Sequence, residues 1–334
     1  MIENFLVTVG ITTYNSNIEF LSKAIDSATR QTYKNIEIII SDDGSNNVEE
    51  VKDLIKIKND KRITLIRNVK NKGVASSLNN IVSLSKGTYF TWCPDDDYMD
   101  YSKIEIQVES LKFAPNSISI CNHIQLLDAF SIKRSIKHNF YLKFTNIFLY
   151  LILLDRINGG SLMIPSNALK ERNFNTSLKH VQDYDMWIHL FYNLSHVYVN
   201  KNLFFSRQHS HQSSQSDSIT AKKEISKFYL DFFKKNLHNV IYYYGNRTYL
   251  FIIMLFKYRD ITVVVDYCSK KENFQKYIGN FYRLDTYFYY LIDLFKLFGS
   301  VLLLFRRIKN FLMYKVLFRL LKKISLANKK NEKP

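Results

Sequence analysis

Residues 87–97 read Gly-Thr-Tyr-Phe-Thr-Trp-Cys-Pro-Asp-Asp-Asp. A short aromatic and β-branched run, Tyr89 to Cys93, passes directly into three aspartates. Such a run predicts a buried strand, and carboxylates placed straight after it belong to the strand's carboxyl end. The same arrangement occurs twice upstream. Residues 5–11 (FLVTVGI) form an apolar run ending in Thr12-Thr13-Tyr14-Asn15, and residues 36–40 (IEIII) form another ending in Ser41-Asp42-Asp43-Gly44-Ser45. Between them, Leu21, Ala24, Ile25 and Ala28 recur at helical spacing over 18–31. Further helices are expected over about 47–57 and 74–85, with Gly87 as the stop of the latter, and a strand at 63–67.

Strands and helices therefore alternate through four strands. That order predicts an α/β fold with a mostly parallel sheet and helices on both faces. Ligands of such sheets bind beyond the carboxyl ends of the strands. Three polar segments, 12–15, 42–45 and 95–97, converge on that one rim. Downstream the pattern loosens. Strand-like pieces fall near 118–121 and 161–164, a helix near 183–194, and mostly helix rich in Phe, Tyr, Leu and Lys from 222 onward.

A chain of 334 residues, 46% hydrophobic and with only 4 prolines and 9 glycines, can build one core with an appendage or two domains, and wholesale disorder is excluded. The net charge of +17 calls for a nucleic acid, an anionic membrane or a polyanionic substrate. Its location favours the membrane. Over 305–324, Phe305, Ile308, Phe311, Leu312, Val316, Leu317 and Leu320 recur at helical spacing among Arg306, Arg307, Lys309, Lys315, Arg319, Lys322 and Lys323, with no acid. This is a basic amphipathic helix, and each cation beside an anionic leaflet contributes about 1 kcal/mol. Residues 288–305 are apolar but carry Asp293 and Lys296, which favours an interfacial helix pair over a span. No nucleic-acid-binding motif is present in the sequence, so nucleic acid is not an expected partner. Cys93, Cys121 and Cys268 lie far apart without metal-ligand spacing, as expected of reduced thiols in a cytosolic protein. The start of the chain shows no basic leader before its short apolar run, so the catalytic part is expected in the cytoplasm.

Seven segments in order now carry a resemblance: VTVGITTYN (7–15), QTYKNIEIIISDDGS (31–45), NKGVASSLNN (71–80), GTYFTWCPDDD (87–97), NGGS (158–161), QDYDMW (182–187) and RQHSHQSS (207–214). Over about residues 5–215 the chain resembles an inverting family 2 glycosyltransferase of the GT-A, Rossmann-like fold. The resemblance implies a domain at 1–215, with a nucleotide-binding half at 1–114 and an acceptor-binding half at 115–215. A helical, basic, membrane-associating region follows at 216–334. It implies transfer of a sugar from a nucleotide-diphosphate sugar, UDP by preference, to a saccharide or lipid-linked saccharide acceptor in cell-surface polysaccharide synthesis, at the inner face of the cell membrane.

The resemblance also implies roles. Thr12 and Tyr14 line the nucleoside pocket, and Asp42 or Asp43 hydrogen-bonds the base, although Asp42 can instead cap the next turn. Asp96 is the main ligand for Mg²⁺ or Mn²⁺, which bridges diphosphate oxygens. Asp97 is a further metal candidate, and Asp95 meets ribose or metal. His209 completes the metal shell or touches the diphosphate, and Arg207 pairs with phosphate oxygens. Asp183 deprotonates the acceptor, with Asp185 as second candidate, and Asp183 also suits a helix start. The chain departs from the family at three places. Pro94 stands where the first metal-site acid falls, Gln182 replaces a Glu, and Leu78-Asn79 replaces Arg-Asn. Asn79 is kept among the nucleotide contacts, and Lys72 is the candidate to replace the missing arginine. The departures at 94 and 182 leave open an inactive nucleotide-binding scaffold of a polysaccharide assembly complex. A second alternative is a basic binding protein whose sheet is only structural.

Overall fold

The computed structural model describes residues 5–127 and 157–208, the backbone of 132–136, and Ala221, Glu224, Lys227 and Phe228. All belong to the unit formed by residues 1–259. His209, Cys268 and the two predicted interfacial helices lie outside the described residues. Among the described residues no helix is long and apolar enough to cross a membrane.

The first half follows the predicted alternation: β1 (Val7–Thr13), α1 (Ile18–Thr29), β2 (Ile36–Asp42), α2 (Val48–Lys58), β3 (Ile63–Arg67), α3 (Val74–Leu84) and β4 (Tyr89–Trp92). The strands lie side by side in the order β3-β2-β1-β4, all parallel. Both β1 and β2 outrun their apolar cores by two residues. Their register carries on through Thr12↔Ser41 and Thr13↔Asp42, so the polar rim residues are themselves paired strand. Asn17 starts α1 by accepting N–H bonds from Glu19 and Phe20 at 2.9 and 3.2 Å. That helix ends before Gln31, whose buried side chain donates to the carbonyls of Ser27 and Asp100 and accepts from the amide of Ile104.

Alternate residues of each strand feed opposite faces, as a period of two requires. Ile36, Ile38, Ile40 and Tyr89 pack with α1 and α2, whereas Ile39 and Phe90 pack with α3. Helices thus cover both faces of the parallel sheet.

The second half is mixed. After β5 (Tyr98–Met99) and α4 (Lys103–Ser110) come β6 (Ile118–Leu127), β7 (Ile132–Ile136), a 3-10 turn (Gly159–Ser161), β8 (Leu162–Pro165), α5 (Ser166–Lys170), α6 (Gln182–Asn193) and β9 (His196–Gln208). Strand β8 joins the halves by pairing antiparallel with both β4 and β6. Strand β9 runs parallel to β6, with irregularities around Asn122, and antiparallel to β5. The short piece expected near 118–121 is therefore the start of a ten-residue strand. Asn158 fixes the 3-10 turn by accepting from the amide of Gly160. The turn packs so closely that a Cβ on Gly160 would lie 2.0 Å from the Phe204 ring.

Candidate active site at the strand ends

The three polar segments meet as expected. The amide of Tyr14 faces a carboxylate oxygen of Asp95 at 3.4 Å. The amide of Asn15 donates to the hydroxyl of Ser45 at 2.8 Å, and the amide of Asp43 donates to the carbonyl of Thr13 at 2.9 Å. Trp92 donates its indole N–H to the Thr12 hydroxyl at 3.1 Å, tying β4 to β1 at the same level. Tyr14 remains 47% exposed on this rim, a flat ring open to a partner. Gly44 makes the turn after β2 with φ of +79°, and a Cβ there would lie 2.7 Å from the backbone of Lys70.

The neighbouring aspartates of β2 differ sharply. Asp43 is buried, and its carboxylate accepts from the Asn68 side chain and from the amides of Lys72 and Gly73, at 2.7, 2.9 and 2.8 Å. It fastens the loop leading into α3. Asp42 accepts from the Ser45 amide at 3.1 Å, while its second oxygen, 3.4 Å from the Arg67 guanidinium, has no hydrogen-bond partner. Asp42 is thus the member with acceptor capacity left. Lys72 is exposed beside Asp43.

In the acidic loop, Asp96 is partly exposed and Asp97 is buried. Asp97 accepts the backbone N–H of Arg207 at 2.8 Å. The Arg207 side chain donates to the Asp96 carbonyl at 2.6 Å, and its guanidinium lies 4.4 Å from the Phe20 ring centre and 5.2 Å from that of Tyr98. Only 6% exposed, Arg207 is packed against the acidic loop by these contacts. Desolvation and the charge of Asp96 raise Asp95 to about 6 and push Asp97 well above its ordinary value. Among the described residues no three His, Cys, Asp or Glu side chains converge as a metal cage. Asp97 accepts from Arg207, while Asp95 and Asp96 are both partly exposed.

Asn79, partly exposed on α3, is tied to Phe174. Its amide donates to the carbonyl of Phe174 and accepts from the amide of Phe174, at 2.9 and 2.7 Å. That two-way bridge ties α3 to the loop after α5. Asp183 lies in the first turn of α6, partly exposed. Asp185, the second candidate, is held in an ion pair with Arg172. Gln182 is buried, with its side-chain oxygen lacking a partner. Two residues that sequence reasoning passed over are Phe20 and Tyr98, the aromatic walls around Arg207. Nothing in local spacing marks them, because they come together only through the fold.

A mixed sheet with a parallel nucleotide-type half, an acidic loop after its fourth strand and a helix-borne aspartate define the glycosyltransferase class of GT-A folds. The chain belongs to the family described as Glycosyl transferase family 2, which residues 8–171 match. An uncharacterized glycosyltransferase of Rickettsia prowazekii is 30% identical over 292 residues, covering 83% of this chain and 87% of its own. The Escherichia coli UDP-Glc:alpha-D-GlcNAc-diphosphoundecaprenol beta-1,3-glucosyltransferase WfaP is 33% identical over 165 residues, covering 48% of this chain and 64% of its own. Among solved structures, Staphylococcus aureus TarS 1-349 in complex with UDP-GlcNAc superposes with a TM-score of 0.53 at 14% identity, over 66% of this chain and 65% of that one. A mannosyltransferase of Pyrobaculum calidifontis in complex with GDP-Man and Mn²⁺ superposes with a TM-score of 0.50 at 15% identity, over 70% and 64%. This chain spans 39% of the longer TarS chain.

Proposed function

We propose that the protein is an inverting transferase. On this reading it moves a sugar from a UDP-sugar to a saccharide or lipid-linked saccharide of a cell-surface polysaccharide. The observation that carries this reading is the rim itself. There the amide of Tyr14 meets Asp95, and Asp42, whose buried second oxygen lies 3.4 Å from the Arg67 guanidinium without a hydrogen bond, ends the adjoining strand. The name of WfaP, a UDP-glucose enzyme acting on a diphosphoundecaprenol-linked sugar, supports the choice of donor and acceptor.

Tyr14 offers its exposed ring, and Thr12 the wall behind it, to the nucleoside. Asp42 accepts from a base N–H. A divalent cation fits the aspartate pair, because Asp95 and Asp96 crowd negative charge that a hard cation would neutralise, and Mg²⁺ is commonly held by one or two carboxylates plus substrate phosphates. Asp96, with Asp95 beside it, would hold Mg²⁺ or Mn²⁺, and the ion would offset charge on the leaving diphosphate. Outside the described residues, His209 is a further donor to that cation or to the diphosphate. Lys72, exposed beside Asp43, offers a cation to the same phosphates. Asp183 takes the proton of the acceptor hydroxyl while that oxygen bonds to the anomeric carbon and the bond to the diphosphate breaks. Inversion follows from attack opposite the leaving group. The basic region at 216–334 would hold the enzyme at the inner face of the membrane, where lipid-linked acceptors lie.

A thermal-shift series with UDP, GDP, dTDP and CMP, with and without Mn²⁺, tests donor binding, since a ligand of the folded state raises apparent stability. UDP with Mn²⁺ is expected to give the largest shift, and no shift with any nucleotide refutes the reading. Release of UDP from UDP-glucose or UDP-GlcNAc tests turnover, and nucleotide binding without any release or transfer favours the scaffold.

A further inference from the structure

The start of α6 lacks a side-chain cap from its own segment, because Val181 stands at the capping position. A carboxylate from far along the chain supplies one. Glu224 accepts from the amide of Lys179 with both oxygens at 3.0 Å, from the amide of His180 at 2.6 Å and from the amide of Val181 at 3.2 Å. The last contact spans 43 residues. Glu224 is helical, as are Ala221 and Phe228, and these three positions recur at the spacing of one helix face. Ala221 is buried, and Phe228 packs against the cluster that contains Val181, Tyr184 and Trp187. The carboxylate is therefore seated, and a negative charge on N–H groups at a helix start is favoured by the helix dipole.

We propose that Glu224 is a positioning residue for Asp183, setting where the 179–181 segment enters α6 and thus where the base meets the acceptor. Glu224 lies outside the matched family region 8–171. The proposal rests on the reading of Asp183 as the base. Its physical ground is steep: a misplacement of about 1 Å in a reacting group can cost on the order of a hundredfold in rate.

The test compares the full chain with Glu224→Ala, Glu224→Gln and Asp183→Asn, following UDP release from UDP-glucose or UDP-GlcNAc with Mn²⁺ and amide hydrogen exchange over 179–185. Glu224→Ala is expected to lower kcat by about tenfold or more while donor KM and the UDP-induced thermal shift stay near wild type. Exchange at 179–181 is expected to quicken. Glu224→Gln, whose amide oxygen still accepts, is expected to recover part of kcat, and it replaces Glu224→Ala in every comparison if the alanine variant fails to fold. Wild-type kcat in both Glu224 variants beside an inactive Asp183→Asn overturns the positioning role and leaves the base standing. Wild-type turnover in Asp183→Asn overturns the base and the positioning role together. A rise in donor KM with loss of the UDP shift marks a purely structural role and also overturns it. If wild type neither releases UDP nor transfers sugar, the base and the positioning role fall together, and unchanged exchange at 179–181 in the Glu224 variants refutes the positioning role by itself.

Discussion

The backbone N–H of Arg207 donates to the carboxylate of Asp97 at 2.8 Å, although the two residues are 110 apart in the chain. The same residue grips the Asp96 carbonyl with its side chain and stacks over Phe20. Arg207 therefore shapes the acidic loop. Arg207→Ala leaves a carbonyl unpaired and removes the stacked cation, with an expected cost of about 2–4 kcal/mol in urea unfolding. Arg207→Lys keeps charge but not the fork, and is expected to recover less than half of that loss. Both are expected to weaken the Mn²⁺-dependent part of the UDP thermal shift.

Asp43 and Asp42 should separate cleanly by assay. Asp43→Ala removes the acceptor of Asn68 and Lys72, while the Gly73 amide keeps the Asn71 side-chain oxygen at 3.0 Å, and should lower stability by about 2–4 kcal/mol. Asp42→Asn should cost less in stability and more in UDP affinity, read by titration calorimetry.

For the two acids of α6, the expected losses also diverge. Asp183→Asn should lower kcat by about 10²- to 10⁴-fold with the fold intact. Asp185→Asn breaks only the ion pair with Arg172, whose side chain is 37% exposed, so it should cost less than about 1 kcal/mol and leave most turnover.

Lys103 gives a pH signature. It is fully buried, donates to the Thr91 hydroxyl at 2.7 Å, and burial holds its pKa down to about 8. The folded value lies below the unfolded one, so the unfolded chain binds the extra proton between about 8 and 10.5, and stability rises with pH through that window. Relative to Lys103→Met, the wild type should gain about 2–3 kcal/mol between pH 7 and 10. The Met variant should be at least as stable at pH 7, because Thr91 still donates to the Leu162 carbonyl.

The first half of the fold was legible because each strand is an unbroken apolar run and each helix has a clean apolar stripe. The second half hid its elements. Helix α4 buries Lys103 and Gln107, which reads as a polar segment, and β6 buries Asn122 and His123 where its pairing with β9 is irregular. At the site, the meeting of three polar strand ends was readable from alternation alone. The inward turn of Asp97 and the seat of Arg207 were not, because both depend on β9 pairing with β6 and β5. The bridge of Asn79 to Phe174 likewise joins residues 95 apart, and no local pattern encodes it.

That dependence on β9 sets an order of events during synthesis. The three aspartates leave the ribosome early, but the residue that seats their loop comes 110 positions later. At about 5–20 residues per second, roughly 5–20 seconds pass between them. Nascent chains halted before β9 would hold a folded parallel half with an unfinished acidic loop, so competence for the cation should arrive as one of the last steps of making this domain.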